Sequence, residues 1–175
     1  AHLGQSSWLR VIHGREDGAP PPVDLDAERL VASTIRALIA DGLLTAVHDL
    51  SDGGLAVALA EMALAGGRGA ALDPVRDRIG PSATAFWFGE DQGRYVVTTG
   101  NSDPVVRALA AAGIAHLWLG SVGGETLSIA GQRGLPLSEL RTAHEGFFPG
   151  LMGADAALAC ALPPIVGAQT GPQLV

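Results

Sequence analysis

The chain has 175 residues, 47% of them hydrophobic and 17% charged, with a formal net charge of −7. That composition fits one globular domain, with or without tails, and excludes a disordered chain; the acid excess argues against a nucleic-acid partner, which needs a concentrated basic face. All 11 strongly basic side chains are arginine, so P-loop, Schiff-base and general-base lysines are excluded, and an anion would have to be held by arginine, backbone N–H groups or helix N-termini.

The opening "LGQSSWLRVIHG" is a short apolar segment ending at Gly14, and the prolines of "REDGAPPPVDLD" make a stiff, exposed connector. Asp24 or Asp26 can cap a helix on which Val31, Ile35, Leu38 and Ile39 recur at helical spacing, with Gly42 as its stop. "LTAVHDL" reads as a buried strand over Thr45 to Asp49. Leu55, Leu59 and Met62 then mark a second helix, closed by Gly66-Gly67. "GAALD" is a short strand before a turn at Pro74. "ATAFWFGE" and "RYVVTTG" look like paired strands around the turn Glu90-Asp91-Gln92-Gly93. "SDPVVRALAAAGI" reads as a helix with Ser102 as N-cap and Pro104 in its first turn. "AHLWLGSV" and "TLSIAG" form a second strand pair around Gly123-Gly124, and a last helix runs over about Leu137 to His144.

This order predicts an α+β domain, a mixed sheet covered by helices, with too few strand–helix–strand crossovers for a doubly wound fold. Residues 1–23 form an N-terminal segment and connector, 24–153 the single domain, and 154–175 a small, apolar, proline-broken tail expected to pack weakly or be disordered. Cys160 stands alone, which excludes an internal disulfide and a multi-cysteine zinc site. No apolar run reaches the roughly 20 residues of a bilayer span, and no signal peptide is visible, so a cytoplasmic location is the expectation.

Two stretches could carry chemistry. In "HDLSDGG" a helix starting at Gly53-Gly54 would present free N–H groups and a positive dipole end to an oxygen-rich ligand, with His48 or Asp49 turned toward it. The alternative is that Ser51 or Asp52 simply caps the helix while the glycines permit tight packing; carboxylates at such a turn repel a bare anion unless a metal intervenes. In "FGEDQGRY", Glu90, Asp91, Gln92 and Arg94 could bind a polar substrate or a divalent metal, or could be a solvated hairpin turn with a surface ion pair. His13, His116 and His144 lack metal-ligand spacing, "GSVGG" precedes a strand rather than a helix, and Ser51 and Cys160 have no base at a recognisable offset.

"HDLSDGGLAVALAEMALAGG" and "FGEDQGRYVV" resemble the C-terminal domain of the large synthetase subunits of the phosphoribosylformylglycinamidine synthase family, in the aminoimidazole ribonucleotide synthetase-related superfamily. "LGQSSWLRVIHG", "GAPPPVDL", "VGG" before "TLSI" and "AHEGFFP" follow in the matching order, so the resemblance covers about residues 3–152, and the tail has no counterpart. It implies an aminoimidazole ribonucleotide synthetase C-terminal-domain-like fold within an ATP- and Mg²⁺-dependent C–N ligase of purine biosynthesis. Its partners would be N-terminal domains of the same chain, a glutaminase subunit and a small bridging subunit. In that family the catalytic histidine and most ATP and metal ligands lie on the N-terminal domains. The resemblance therefore implies no catalytic or metal residue here, no ATP or Mg²⁺ bound to this segment, and no activity of the segment alone. Glu90, Asp91, Gln92 and Arg94 would be the pseudo-symmetric copy of a segment that reaches the substrate in the first half of the synthetase, and together with Asp49, Ser51, Asp52, Gly53 and Gly54 they are the candidate ligand contacts. The alternatives are a nucleotide- or phosphate-binding module of another superfamily member, and a purely structural or dimerising domain.

Overall fold

In a computed structural model of the chain, described for residues 2–73, 83–129, 132–153 and 173–174, helices cover both faces of a mixed sheet. In chain order the elements are α1 (Ser7–His13), α2 (Leu25–Ala40), β1 (Ala46–Asp49), α3 (Gly54–Gly66), β2 (Ala70–Leu72), α4 (Ala83–Phe88) and β3 (Tyr95–Thr99). There follow α5 (Ser102–Ala111), β4 (Gly120–Val122), β5 (Thr126–Ile129), β6 (Leu135–Pro136), α6 (Leu137–Glu145), α7 (Phe147–Met152) and β7 (Gln173–Leu174). The described strands are ordered β1-β3-β7-β4-β2-β5-β6, with β2 and β5 parallel and the other pairs antiparallel. The predicted α+β mixed sheet is therefore present.

Strand β3 organises the core because successive side chains point to opposite faces. Val96 packs with Leu55, Leu59, Leu72 and Leu119 on the face covered by α3 and α4. Val97 packs with Ile35 of α2 on the other face, where Leu38, Val105 and Leu109 join α2 to α5. Burying Leu55 or Leu59 alone is worth about 1.5–3 kcal/mol, so this sandwich is ample to set the register of β3. Asp24 caps α2 through the N–H groups of Asp26 and Ala27, and the left-handed Gly67 ends α3.

Several sequence expectations are corrected. "ATAFWF" is a helix, α4, not a strand paired with β3; β3 pairs with β1 instead. The β propensity of its aromatics is overridden because helical spacing turns Ala85 into the core and stacks Phe88 on Trp8, with ring centroids 4.0 Å apart. The β4 and β5 strands do not pair with each other: β2 lies between them, and the loop at Gly123-Gly124 is tied to Gly69 by two backbone hydrogen bonds of 2.8 Å. In "AHLWLGSV" only Gly120–Val122 is strand. Asn101, not Ser102, caps α5. β1 is a half-exposed edge strand rather than a buried one.

The N-terminal segment is held against the body. The Gln5 side-chain amide donates to the carbonyls of Glu16 and Gly18, which folds the connector back on residues 2–6. The turn expected at Pro74 and Cys160 lie outside the described residues. Of the segment 154–175, expected to pack weakly, Gln173 and Leu174 form a strand within the sheet; the remainder lies outside the described residues.

Candidate functional site

Both candidate stretches converge on one place, the junction of β1, the first turn of α3 and the end of α4. Leu50 is buried and anchors the end of β1, and the chain then turns through Ser51 and Asp52 into two consecutive left-handed residues, Gly53 (φ +83°) and Gly54 (φ +66°). Glycine is required at the second for a further reason: a Cβ on Gly54 would lie 2.7 Å from the Gly89 carbonyl and 2.9–3.0 Å from Phe88 backbone atoms. At Gly53 the neighbour is only the half-exposed side chain of Val57. The glycine pair thus lets the start of α3 sit directly on the end of α4.

The N-terminal N–H groups of α3 are not capped by Ser51 or Asp52, whose side chains make no capping hydrogen bond. The acceptor comes from 37 residues downstream: Glu90 Oε1 accepts the Gly53 N–H at 2.8 Å. The same oxygen accepts the Ser7 N–H at 2.8 Å, in the first turn of α1. One carboxylate therefore clasps two helix starts, where a negative charge is favoured by both dipoles and by the otherwise unmet donors. Ser6 completes the α1 end; its hydroxyl accepts from Leu9 N–H and donates to the Leu3 carbonyl.

Asp91 and Arg94 brace the clasp from behind. Arg94 Nη1 lies 3.3 Å from Asp91 Oδ2, while its guanidinium donates to the Phe86 and Gly89 carbonyls and sits over the Phe86 ring at 5.6 Å. Burial pulls the Arg94 guanidinium below its usual pKa, and the Asp91 carboxylate works against that shift. "FGEDQGR" is thus not a solvated hairpin turn. Its Glu90, Asp91 and Arg94 side chains point inward and hold α4, β3, α3 and α1 together.

The remaining candidates lie outside this network. Asp49, Ser51 and Gln92 are exposed. His48 turns to Glu61 on α3, Nε2 to Oε2 3.3 Å, and its Nδ1 meets the Asp49 carbonyl. Asp52 and Glu90 share a small cleft of about 150 Å³ with Ser6, Ser7, Arg10 and Glu16. Sequence reasoning missed this contribution of α1, although "SS" directly before "WLRV" is an N-cap signal.

These residues do not suit a metal–nucleotide complex. Three carboxylates and one arginine line the cleft, and the Gly53 N–H that would meet a phosphate already donates to Glu90. Among the described residues no three His, Cys, Asp or Glu side chains are grouped to hold a metal ion. What the geometry can do is fix the relative positions of four elements.

A sequence profile described as "AIR synthase related protein, C-terminal domain" matches residues 1–128. The phosphoribosylformylglycinamidine synthase subunit PurL of Rhodopseudomonas palustris (strain BisA53) is 53% identical over 154 residues, covering 87% of this chain and 21% of that protein. The chain thus spans about a fifth of the length of the curated relatives it matches. Among solved structures, Thermotoga maritima PurL complexed with ATP superposes with a TM-score of 0.58 at 19% identity, over 78% of this chain and 23% of that one. The Thermotoga maritima PurLQS structure also gives 0.58, at 18% identity over 78% and 24%. At those identities the superpositions speak for the fold, and the profile and the sequence identity speak for descent: the chain belongs to the AIR synthase related protein C-terminal domain family.

Proposed function

We propose that this chain is the C-terminal domain of the large synthetase subunit of phosphoribosylformylglycinamidine synthase. That ligase joins ammonia, released from glutamine, to formylglycinamide ribonucleotide at the expense of ATP, giving formylglycinamidine ribonucleotide in purine biosynthesis. The identity to PurL over 154 residues supports the enzyme. One observation carries the domain's role: the carboxylate of Glu90 accepts the Gly53 and Ser7 N–H groups, one donor at each helix start, and so places a negative charge where a phosphate ligand would have to sit. In this reading Gly53, Gly54, Glu90, Asp91 and Arg94 are scaffold residues that shape a surface for the preceding domains of the same chain. ATP and Mg²⁺ are held by those preceding domains, and the glutaminase and small bridging subunits are partners of the assembled enzyme in the cytoplasm.

Exposed apolar side chains support a covered surface. On α7, Phe147 is 61% exposed, Phe148 69%, Leu151 69% and Met152 77%, and such groups are normally buried against a partner when they cluster. The test is an assay of the isolated 175-residue chain with formylglycinamide ribonucleotide, ammonia and ATP·Mg²⁺. No turnover is expected; measurable amidine formation would overturn the scaffold role.

A further inference from the structure

Strands β3 and β4 run parallel to each other but do not pair. The two-residue β7 lies between them, antiparallel to both, with Leu174 opposite Thr98 and Gly120, and Gln173 opposite Thr99 and Ser121. Strand spacing of about 4.8 Å then leaves a gap one strand wide between β3 and β4.

The gap continues beyond β7. The residues that precede the paired positions on each side, Tyr95 and Val97 of β3 and Leu117 and Leu119 before β4, line one cavity of about 800 Å³, together with Ile35 and Leu50. Its walls are mainly aliphatic. The backbone also faces it. The Thr98 carbonyl accepts from Thr45 N–H and the Arg94 carbonyl from Leu50 N–H, both on the β1 side. By the alternation of an antiparallel strand, the N–H and C=O groups of Tyr95, Val97 and Thr99 point to the opposite edge, into the gap. Thr99 and Val97 are 1% and 3% exposed, so backbone groups at this edge need protein partners rather than water. Gly120 brings no side chain to the register position that it shares with Leu174, and a Cβ there would collide with the Ala71 carbonyl.

We propose that the gap between β3 and β4 is a strand-acceptor groove for an extended apolar peptide, and that the chain's own C-terminal segment, entering as β7, is its occupant. Without an occupant the sheet falls into two parts, β1-β3 and β4-β2-β5-β6. The direction of β7 carries the ladder from Thr99 toward Val97 and Tyr95, so the groove ahead of it is lined for further apolar residues.

The test uses the full chain with Cys160→Ser, and pairs Ser121→Cys with Gln173→Cys, which are opposite one another in the register. Under mild oxidation an intramolecular disulfide is expected in most molecules, and none in a control pairing Ser138→Cys with Gln173→Cys. Failure to cross-link would overturn the proposal. So would cross-linking only between molecules, which would make a second copy the occupant. Independently, Gln173→Pro removes the ladder donor that faces Thr99. Amide exchange at Thr99 is then expected to rise at least tenfold while Thr98, facing β1, is unchanged. A labelled peptide of residues 168–175, AQTGPQLV, is expected to bind this variant saturably, whereas AQTGPPPV is not. Equal behaviour of the two peptides, or unchanged exchange at Thr99, would refute the groove. If Gln173→Pro does not fold, the cross-link on the folded double-cysteine chain decides.

Discussion

Replacing Glu90 by alanine removes the acceptor for two backbone donors at once, those of Gly53 and Ser7. Hydrogen bonds to a charged acceptor are each worth about 1.5–3 kcal/mol when buried. Both bonds are only partly buried, so water recovers part of that loss, and a net destabilisation of about 2–3 kcal/mol is expected. For a chain of this size 1 kcal/mol moves the melting temperature by roughly 2–4 °C, so Tm should fall by roughly 5–10 °C. Glu90→Gln retains one carbonyl oxygen that can accept both N–H groups but lacks the charge that favours the two helix dipoles, so a loss of about 1 kcal/mol is expected. Urea unfolding followed by circular dichroism measures both variants, and amide exchange at Ser7 and Gly53 localises the effect. A loss below about 0.5 kcal/mol for the alanine variant, or equal losses for the two, would refute the clasp.

Both Gly53→Ala and Gly54→Ala add left-handed strain of about 1–2 kcal/mol, but the Gly54 Cβ also collides with the Gly89 and Phe88 backbone whereas the Gly53 Cβ meets only the Val57 side chain, so Gly54→Ala should be the costlier; thermal unfolding of the pair tests the order. Arg94→Lys keeps the charge but loses the fork to Phe86 and Gly89, and a loss of about 1–2 kcal/mol is expected in the same measurement. The hydrogen bond from Arg15 holds the Asp17 carboxyl below its usual range. A depressed native value means that the pair stabilises above the unfolded value of about 3.9 and is lost as pH falls through the lower native midpoint. Carbon-detected NMR titration should place the Asp17 midpoint below about 3.9, and Arg15→Gln should move it upward.

The helices with clean local signals were legible in the sequence. Asp24, Val31, Ile35 and Gly42 specify α2 by capping and periodicity alone, and Gly66-Gly67 ends α3 as expected. The errors fall where tertiary contacts outvote local preference. "ATAFWF" has strand-forming aromatics, yet its stacking on Trp8 and the seat of Ala85 in the core make it helical. The insertion of β2 between β4 and β5 is a long-range pairing that no local pattern encodes. Both motifs stand out in the sequence, but that they meet at one junction is a tertiary fact that neither of them encodes. The chemistry of the site was not legible either, because the cap on Gly53 comes from Glu90, 37 residues away, and a remote acceptor has no sequence signature next to the helix that it caps. The α1 contribution could have been found from Ser6 and Ser7 before an apolar run.

The claim that the glycine turn is a closed structural clasp is tested most directly by titrating ATP·Mg²⁺ into the ¹⁵N-labelled chain and following the amide resonances of Ser7, Gly53 and Gly54. With the donors of Gly53 and Ser7 held by Glu90, none of these resonances should shift saturably at millimolar nucleotide. Saturable shifts centred on Gly53 and Gly54, reduced in a Gly54 variant that remains folded, would contradict the clasp and make the turn a nucleotide site.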